Sequence, residues 1–319
     1  MKVRQTAIII ASVVLLVGVV KAGTTPVTRG NFTFYFDTPG YITPADSALE
    51  AARTRLQTLL KNDLNFSADV FMVSSNVTFD SLLGGQFPDW GAAAALPALE
   101  RIVLRSPGTM RVNRPLAELL AHEYSHLALD HRTGLHSAPR WLDEGLAQIV
   151  SMQWSWDDNL TLNLASVTGQ FIPLDEIDLV NRFGESKARL AYGESYMAVQ
   201  YFFDNYGVEG VNQFIDQIAR GASLDDALMA STGSNYRDFD EEIRVYLRQR
   251  FNLIGLVADT MYFWLALAII VVIGFILKMR KRRQYYKKWE EEEKLASTDF
   301  DYGDPDEPEE PDNEEPWRR

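Results

Sequence analysis

The run Met261 to Leu277 is almost wholly apolar, opens on Tyr262, Phe263 and Trp264, and is followed at once by Lys278-Met279-Arg280-Lys281-Arg282-Arg283. A segment of this kind has few places to go, and as a helix in lipid it satisfies its own backbone polar groups. Extended back to Leu253 it takes in a single acid, Asp259, and reaches the roughly 20 residues that a bilayer requires. A core helix of a soluble domain would not end on such a basic cluster, whereas positive residues do mark the cytoplasmic end of a membrane span. The expected layout is an outer domain over 23–252, a single transmembrane helix over 253–277, and a cytoplasmic tail over 278–319.

The two ends carry weaker signals. Lys2 and Arg4 precede a shorter apolar run, Ala7 to Val20, and small residues follow at Val20-Lys21-Ala22. This reads as a signal peptide over 1–22, cut after Ala22, or as an uncleaved N-terminal anchor. The tail turns acidic at Glu290 to Glu293 and again at Asp304-Pro305-Asp306-Glu307-Pro308. With so little apolar area to bury, it is expected to be disordered, although Tyr285 to Leu295 can continue the membrane helix for a short distance.

Composition narrows the chemistry. The 319 residues include no cysteine, which excludes thiolate metal sites, cysteine nucleophiles and disulfides, so any metal is held by His, Asp or Glu. The net charge is −13, and only part of that lies in the tail. A nucleic-acid partner is disfavoured by this charge, while basic peptides are weakly favoured. Glycosylation-like triplets stand at Asn31, Asn65, Asn76 and Asn159.

Within the outer domain, Asn31 to Asp37 alternates Phe32, Phe34 and Phe36 with Thr33 and Tyr35, as a strand does. Asp69 to Ser74 and Arg101 to Arg105 are further short strands. Arg101 to Leu104 is either an edge strand open to an extended peptide or an ordinary sheet strand. Gly84 to Pro97 reads as loop. Helices are expected over Thr43 to Leu64, from Pro115 onward, from Ala138 to about Trp154 with Ser137 as its cap, and over Leu190 to Tyr206, Val208 to Arg220, Ser223 to Ser231 and Tyr236 to Phe251. The fold class is therefore α+β: a small mixed α/β N-terminal subdomain containing a sheet, then a helical half, then one membrane helix.

The helix after Pro115 contains His122-Glu123-Tyr124-Ser125-His126. Positions four apart share one helix face at about 6 Å, so both imidazoles can bind a single zinc ion. Glu123, one residue on, can serve as a general base for water at that ion. All four histidines of the chain lie between 122 and 136. A third ligand is needed, and Trp141-Leu142-Asp143-Glu144-Gly145-Leu146-Ala147 begins the next helix with two carboxylates, Asp143 and Glu144. His131 reads as a helix-end residue and His136 as a loop residue.

Together these motifs resemble the gluzincin group of metallopeptidases, which includes thermolysin and aminopeptidase N, and more closely the peptidase MA-like domains. Those pair a His-Glu-x-x-His helix with a Trp-x-x-Glu-Gly-x-Ala helix. The similar stretch runs from about Trp90 to Phe214, with Leu116 to Ile149 carrying the strongest motifs. The resemblance implies a helical zincin C-terminal half, with His122, His126 and Glu144 as ligands of one zinc ion and Glu123 as general base; Asp143, the competing carboxylate, is expected to be a supporting or surface acid. The family's later helix, with Tyr near its start and Tyr-Gly at its end, is similar to Ala191-Tyr192-Gly193 through Asn205-Tyr206-Gly207. This makes Tyr192 a candidate oxyanion donor, with Tyr196 second and aromatic packing as the other reading for each. The chain departs from thermolysin-like enzymes at Gln148, where they carry an Asp that orients a ligand histidine. It also lacks the Gly-x-Met-Glu-Asn string of aminopeptidase N relatives.

The function that follows is a membrane-anchored zinc metallopeptidase acting on peptide or protein substrates outside the cytoplasm. The other readings are a catalytically inactive binding module on the same fold and a membrane scaffold acting through its acidic tail.

Overall fold

The structure, a computed structural model, describes residues 25–85, 91–109, 114–134 and 136–295. The signal segment expected over 1–22 and the acidic end from 296 onward lie outside the described residues. Two compact units are present, divided between Asp259 and Thr260.

The first unit begins with a five-stranded sheet built from β1 (Val27–Arg29), β2 (Phe32–Phe36), β3 (Ala68–Val73), β4 (Ala93–Leu96) and β5 (Arg101–Arg105), in the order β1-β2-β3-β5-β4. β2, β3 and β5 run parallel, in a register that aligns Phe34 with Val70 and Val70 with Ile102, while β1 and β4 close the edges antiparallel. The parallel strands are buried on both faces, as a covered parallel sheet requires. Phe32, Phe34 and Phe36 face the main core, and Tyr35 stacks on Phe71 at 4.5 Å on the opposite face, beside Phe79 and Leu82.

The sheet decides between the two readings of Arg101 to Leu104 and corrects the loop expected over Gly84 to Pro97. Arg101 to Leu104 is the ordinary sheet strand, flanked by β3 and β4, and the edge strand on that side is β4, which lies inside the stretch expected to be loop. Residues Ala92 to Ala95 carry neither alternation nor β-propensity, so pairing with β5 makes that strand. A helix also follows β3 unannounced: α2 (Asn76–Leu83), capped by Ser75 and stopped at Gly84 with φ of 77°.

α1 (Ile42–Leu60) buries Ala45, Leu49, Ala52, Leu56 and Leu60 at helical spacing. After the sheet come α3 (Leu116–Thr133), α4 (Arg140–Ser151), α5 (Trp156–Thr168), α6 (Glu185–Ala219), α7 (Leu224–Thr232), α8 (Tyr236–Arg250) and α9 (Leu253–Asp259). The helical half forms as expected, with α5 as an addition started by a Ser155–Asp158 capping box. The two helices expected on either side of residue 207 are the two halves of α6, parted at Gly207, whose φ of 67° is not helical. α4 begins at Arg140 rather than Ala138, and Ser137 does not cap it. The Arg140 N–H donates instead to Asp178 Oδ1 at 3.0 Å, from the short 3-10 helix over Glu176–Arg182. Trp141, fully buried, packs among Phe202, Phe214 and Phe239 and fixes α4 against the later helices.

The second unit holds α10 (Met261–Leu295), a helix long and apolar enough to cross a membrane. It continues through Tyr285 to Leu295. The apolar stretch before it forms the separate helix α9, held to α5 through Asn163 Oδ1, which accepts the Asn252 N–H at 2.9 Å.

Candidate metal centre

α3 belongs to the first unit. Tyr124, fully buried, meets Phe32 edge-on at 5.4 Å and stacks on Phe66 at 5.6 Å, which anchors one helix face to the sheet. That packing turns His122 and His126 to the other side, where their rings lie 4.9 Å apart and nearly perpendicular.

α4 supplies the third group. Glu144 Oε2 lies 3.4 Å from His122 Nε2 and 3.9 Å from His126 Nε2, and ligand atoms of the three residues all fall within 4.8 Å of one another. Two ligands of a tetrahedral zinc ion at about 2.1 Å are separated by roughly 3.4 Å, so this spacing fits zinc, as does the donor set of two imidazoles and a carboxylate. His122 Nδ1 has no hydrogen-bond partner among the described residues.

Behind the triad, Asp143 takes the supporting place and Gln148 does not. Asp143 Oδ1 accepts from His126 Nδ1 at 2.6 Å, which leaves Nε2 facing Glu144. Gln148 does not take up the support of a ligand histidine, since its Nε2 donates to the Tyr192 carbonyl at 2.8 Å and so holds the backbone of α6. Arg140, which sequence reasoning passed over, reaches both acids: NH2 lies 2.5 Å from Glu144 Oε1 and NH1 lies 3.6 Å from Asp143 Oδ2. Its position four residues before Glu144 was the available signal.

The electrostatics follow from this crowding. Burial works to raise the Glu144 carboxyl, but the bond to His122 and the charges of His126 and Arg140 hold it down at about 2. Burial works to lower the His126 imidazole, and Asp143, Glu144 and Glu123 overcome it to bring it to about 10. Glu123 is pushed above the usual carboxylate range, chiefly by burial and also by Glu144, against the histidines and a hydrogen bond from the Ala95 backbone of edge strand β4.

Tyr192, partly buried on α6, sits within the field of Glu144, Arg140 and Glu123, and burial first and Glu144 next push its phenol up to about 12. Tyr196 instead packs on Trp154 at 4.4 Å and belongs to an aromatic cluster. His131 stacks on Phe66 at the end of α3 and His136 lies in the bend after it, both outside the triad. The Asn31 amide donates to the Phe66 carbonyl and to Asn65 Oδ1, and the Asn76 side chain bonds Arg105, so three of the four glycosylation-like asparagines are tied into the fold.

A family model described as the Peptidase MA superfamily matches residues 72–249, more than half of the chain. That stretch runs from β3 through α8 and contains the edge strand and both helices of the site. No curated protein matches the sequence.

Proposed function

We propose, since this chain belongs to the Peptidase MA superfamily, that it is a zinc-dependent peptidase anchored in a membrane by α10 and acting on peptides outside the cytoplasm. The observation that carries this reading is the convergence of His122 Nε2, His126 Nε2 and Glu144 Oε2 on one point, with Glu123 buried beside them. Zinc, when bound there, supplies a Lewis acid that polarises the scissile carbonyl and makes water more acidic.

The chain's own groups do the rest. Glu123 takes a proton from the attacking water and passes it to the departing amine. Its elevated carboxyl suits an acceptor that must also give the proton back. Tyr192 keeps its phenolic proton at neutral pH and donates a hydrogen bond to the oxyanion that develops on the carbonyl. An extended substrate pairs with edge strand β4, beside Glu123, through main-chain hydrogen bonds. The basic residues from Lys278 to Arg283 favour a cytoplasmic tail and an outer peptidase unit.

The test uses the full-length protein in detergent. Elemental analysis should find about one zinc per chain by the ligand count, and cleavage of casein or a peptide library should stop on chelation and return with zinc. Glu123→Gln should keep the zinc and lose cleavage. A zinc-loaded chain that binds peptides without cleaving them would instead be a binding module on the same fold.

A further inference from the structure

Arg140 stands where one side chain can control two others. Its guanidinium addresses Glu144 through NH2, at 2.5 Å from Oε1, and Asp143 through NH1, at 3.6 Å from Oδ2. The remaining oxygen of each acid turns to a histidine: Glu144 Oε2 to His122 and His126, and Asp143 Oδ1 to His126 Nδ1. Each carboxylate is thereby divided, one oxygen on the arginine and one on the imidazole side.

That division has a chemical consequence. A carboxylate left to itself can give a cation one oxygen or both. A charge-assisted bond from a guanidinium holds one oxygen in place and draws electron density from it. We propose that Arg140 is a positioning residue, which leaves Glu144 Oε2 alone to engage the metal and, through Asp143, keeps His126 presenting Nε2. This rests on the zinc reading of the site given above.

An exposed i,i+4 ion pair would carry little weight, because two long side chains rarely hold one geometry in water. Here Glu144 is 3% exposed and the Arg140 side chain, at 34%, is only half-buried, but the Arg140 main chain is pinned by Asp178 at 3.0 Å. The guanidinium also brings positive charge to a site crowded with the carboxylates of Glu123, Asp143 and Glu144.

The experiment compares the full-length parent with Arg140→Gln and Arg140→Lys, using zinc and cobalt(II) alone as probes. Zinc affinity is measured by competition with a chromophoric chelator, and coordination by the visible spectrum of the cobalt form. Arg140→Gln is expected to bind zinc about 10- to 100-fold more weakly and to show the fainter cobalt absorption of a site with more oxygen ligands. Arg140→Lys keeps the charge but cannot fork between two acids, so it should fall between the parent and Arg140→Gln in both measurements. Parent-like affinity and an unchanged cobalt spectrum in Arg140→Gln would overturn the proposal. If that variant fails to fold, the same parent-like result in Arg140→Lys overturns it. A parent that takes up no zinc would bring down the metal reading itself and this inference with it.

Discussion

Gly145 lies directly under Ser195: a Cβ built on the glycine would come 2.2 Å from the Ser195 carbonyl oxygen and 2.6 Å from Val199 Cγ2. α4 and α6 can therefore touch along their backbones at the turn that carries Glu144. Gly145→Ala must push the two helices apart, and overpacking of this kind costs about 1–3 kcal/mol. The variant should unfold at lower temperature, and the displacement should also weaken zinc binding, because Glu144 moves with its helix. Thermal unfolding and zinc titration check both, and an unchanged melting temperature would contradict the contact.

Asp143→Asn weakens the acceptor for His126 Nδ1. Partners of this type behind a metal ligand are worth about 10- to 100-fold in affinity. Zinc binding should drop by that order while circular dichroism stays that of the parent. If affinity does not change, Asp143 is a surface acid.

Tyr192→Phe removes a hydroxyl and little else. If the phenol serves the oxyanion, kcat should fall by about 100-fold or more, as loss of one such donor does elsewhere, with KM and zinc content close to the parent. A parent-like kcat would leave Tyr192 as a packing residue.

Glu194 supplies a pH prediction away from the metal. It is 1% exposed on α6, and both its oxygens lie 3.1 Å from the Ile172 backbone nitrogen. Burial raises its carboxyl from 4.5 to about 8, against the lowering effect of that N–H. The folded chain thus holds a proton that the unfolded chain releases. The associated stability is complete below about pH 4.5 and is lost as pH rises through about 8, on the order of a few kcal/mol. Glu194→Gln should flatten the melting curve against pH across this window, and should gain on the parent more at about pH 8 than at about pH 5. Parallel curves for the two proteins would rule this out.

Much of the fold could be read along the chain because its signals are local. The alternation of Phe32, Phe34 and Phe36 marks β2, and the leucine spacing marks α1. The His122–His126 interval places two imidazoles on one helix face, and α3 has that geometry. β4 gave no comparable sign, since a run of alanines has no period and becomes a strand only through the backbone of β5. The start of α4 escapes the local sequence for a related reason: Ser137 is near in sequence, but Asp178 is near in space.

Residue order alone determined the apolar helix with its basic end, the absence of cysteine chemistry, and the pairing of a His-Glu-x-x-His helix with a Glu-bearing one. Those depend on composition or on spacing within a few turns. Tertiary structure decided which oxygen of Glu144 faces the histidines, that Asp143 holds His126, that Gln148 binds the Tyr192 carbonyl, and that Arg140 reaches two acids at once. The reason is physical: side-chain direction and hydrogen-bond partners are set by how α4 docks against α3 and α6, a close approach that the missing side chain of Gly145 permits.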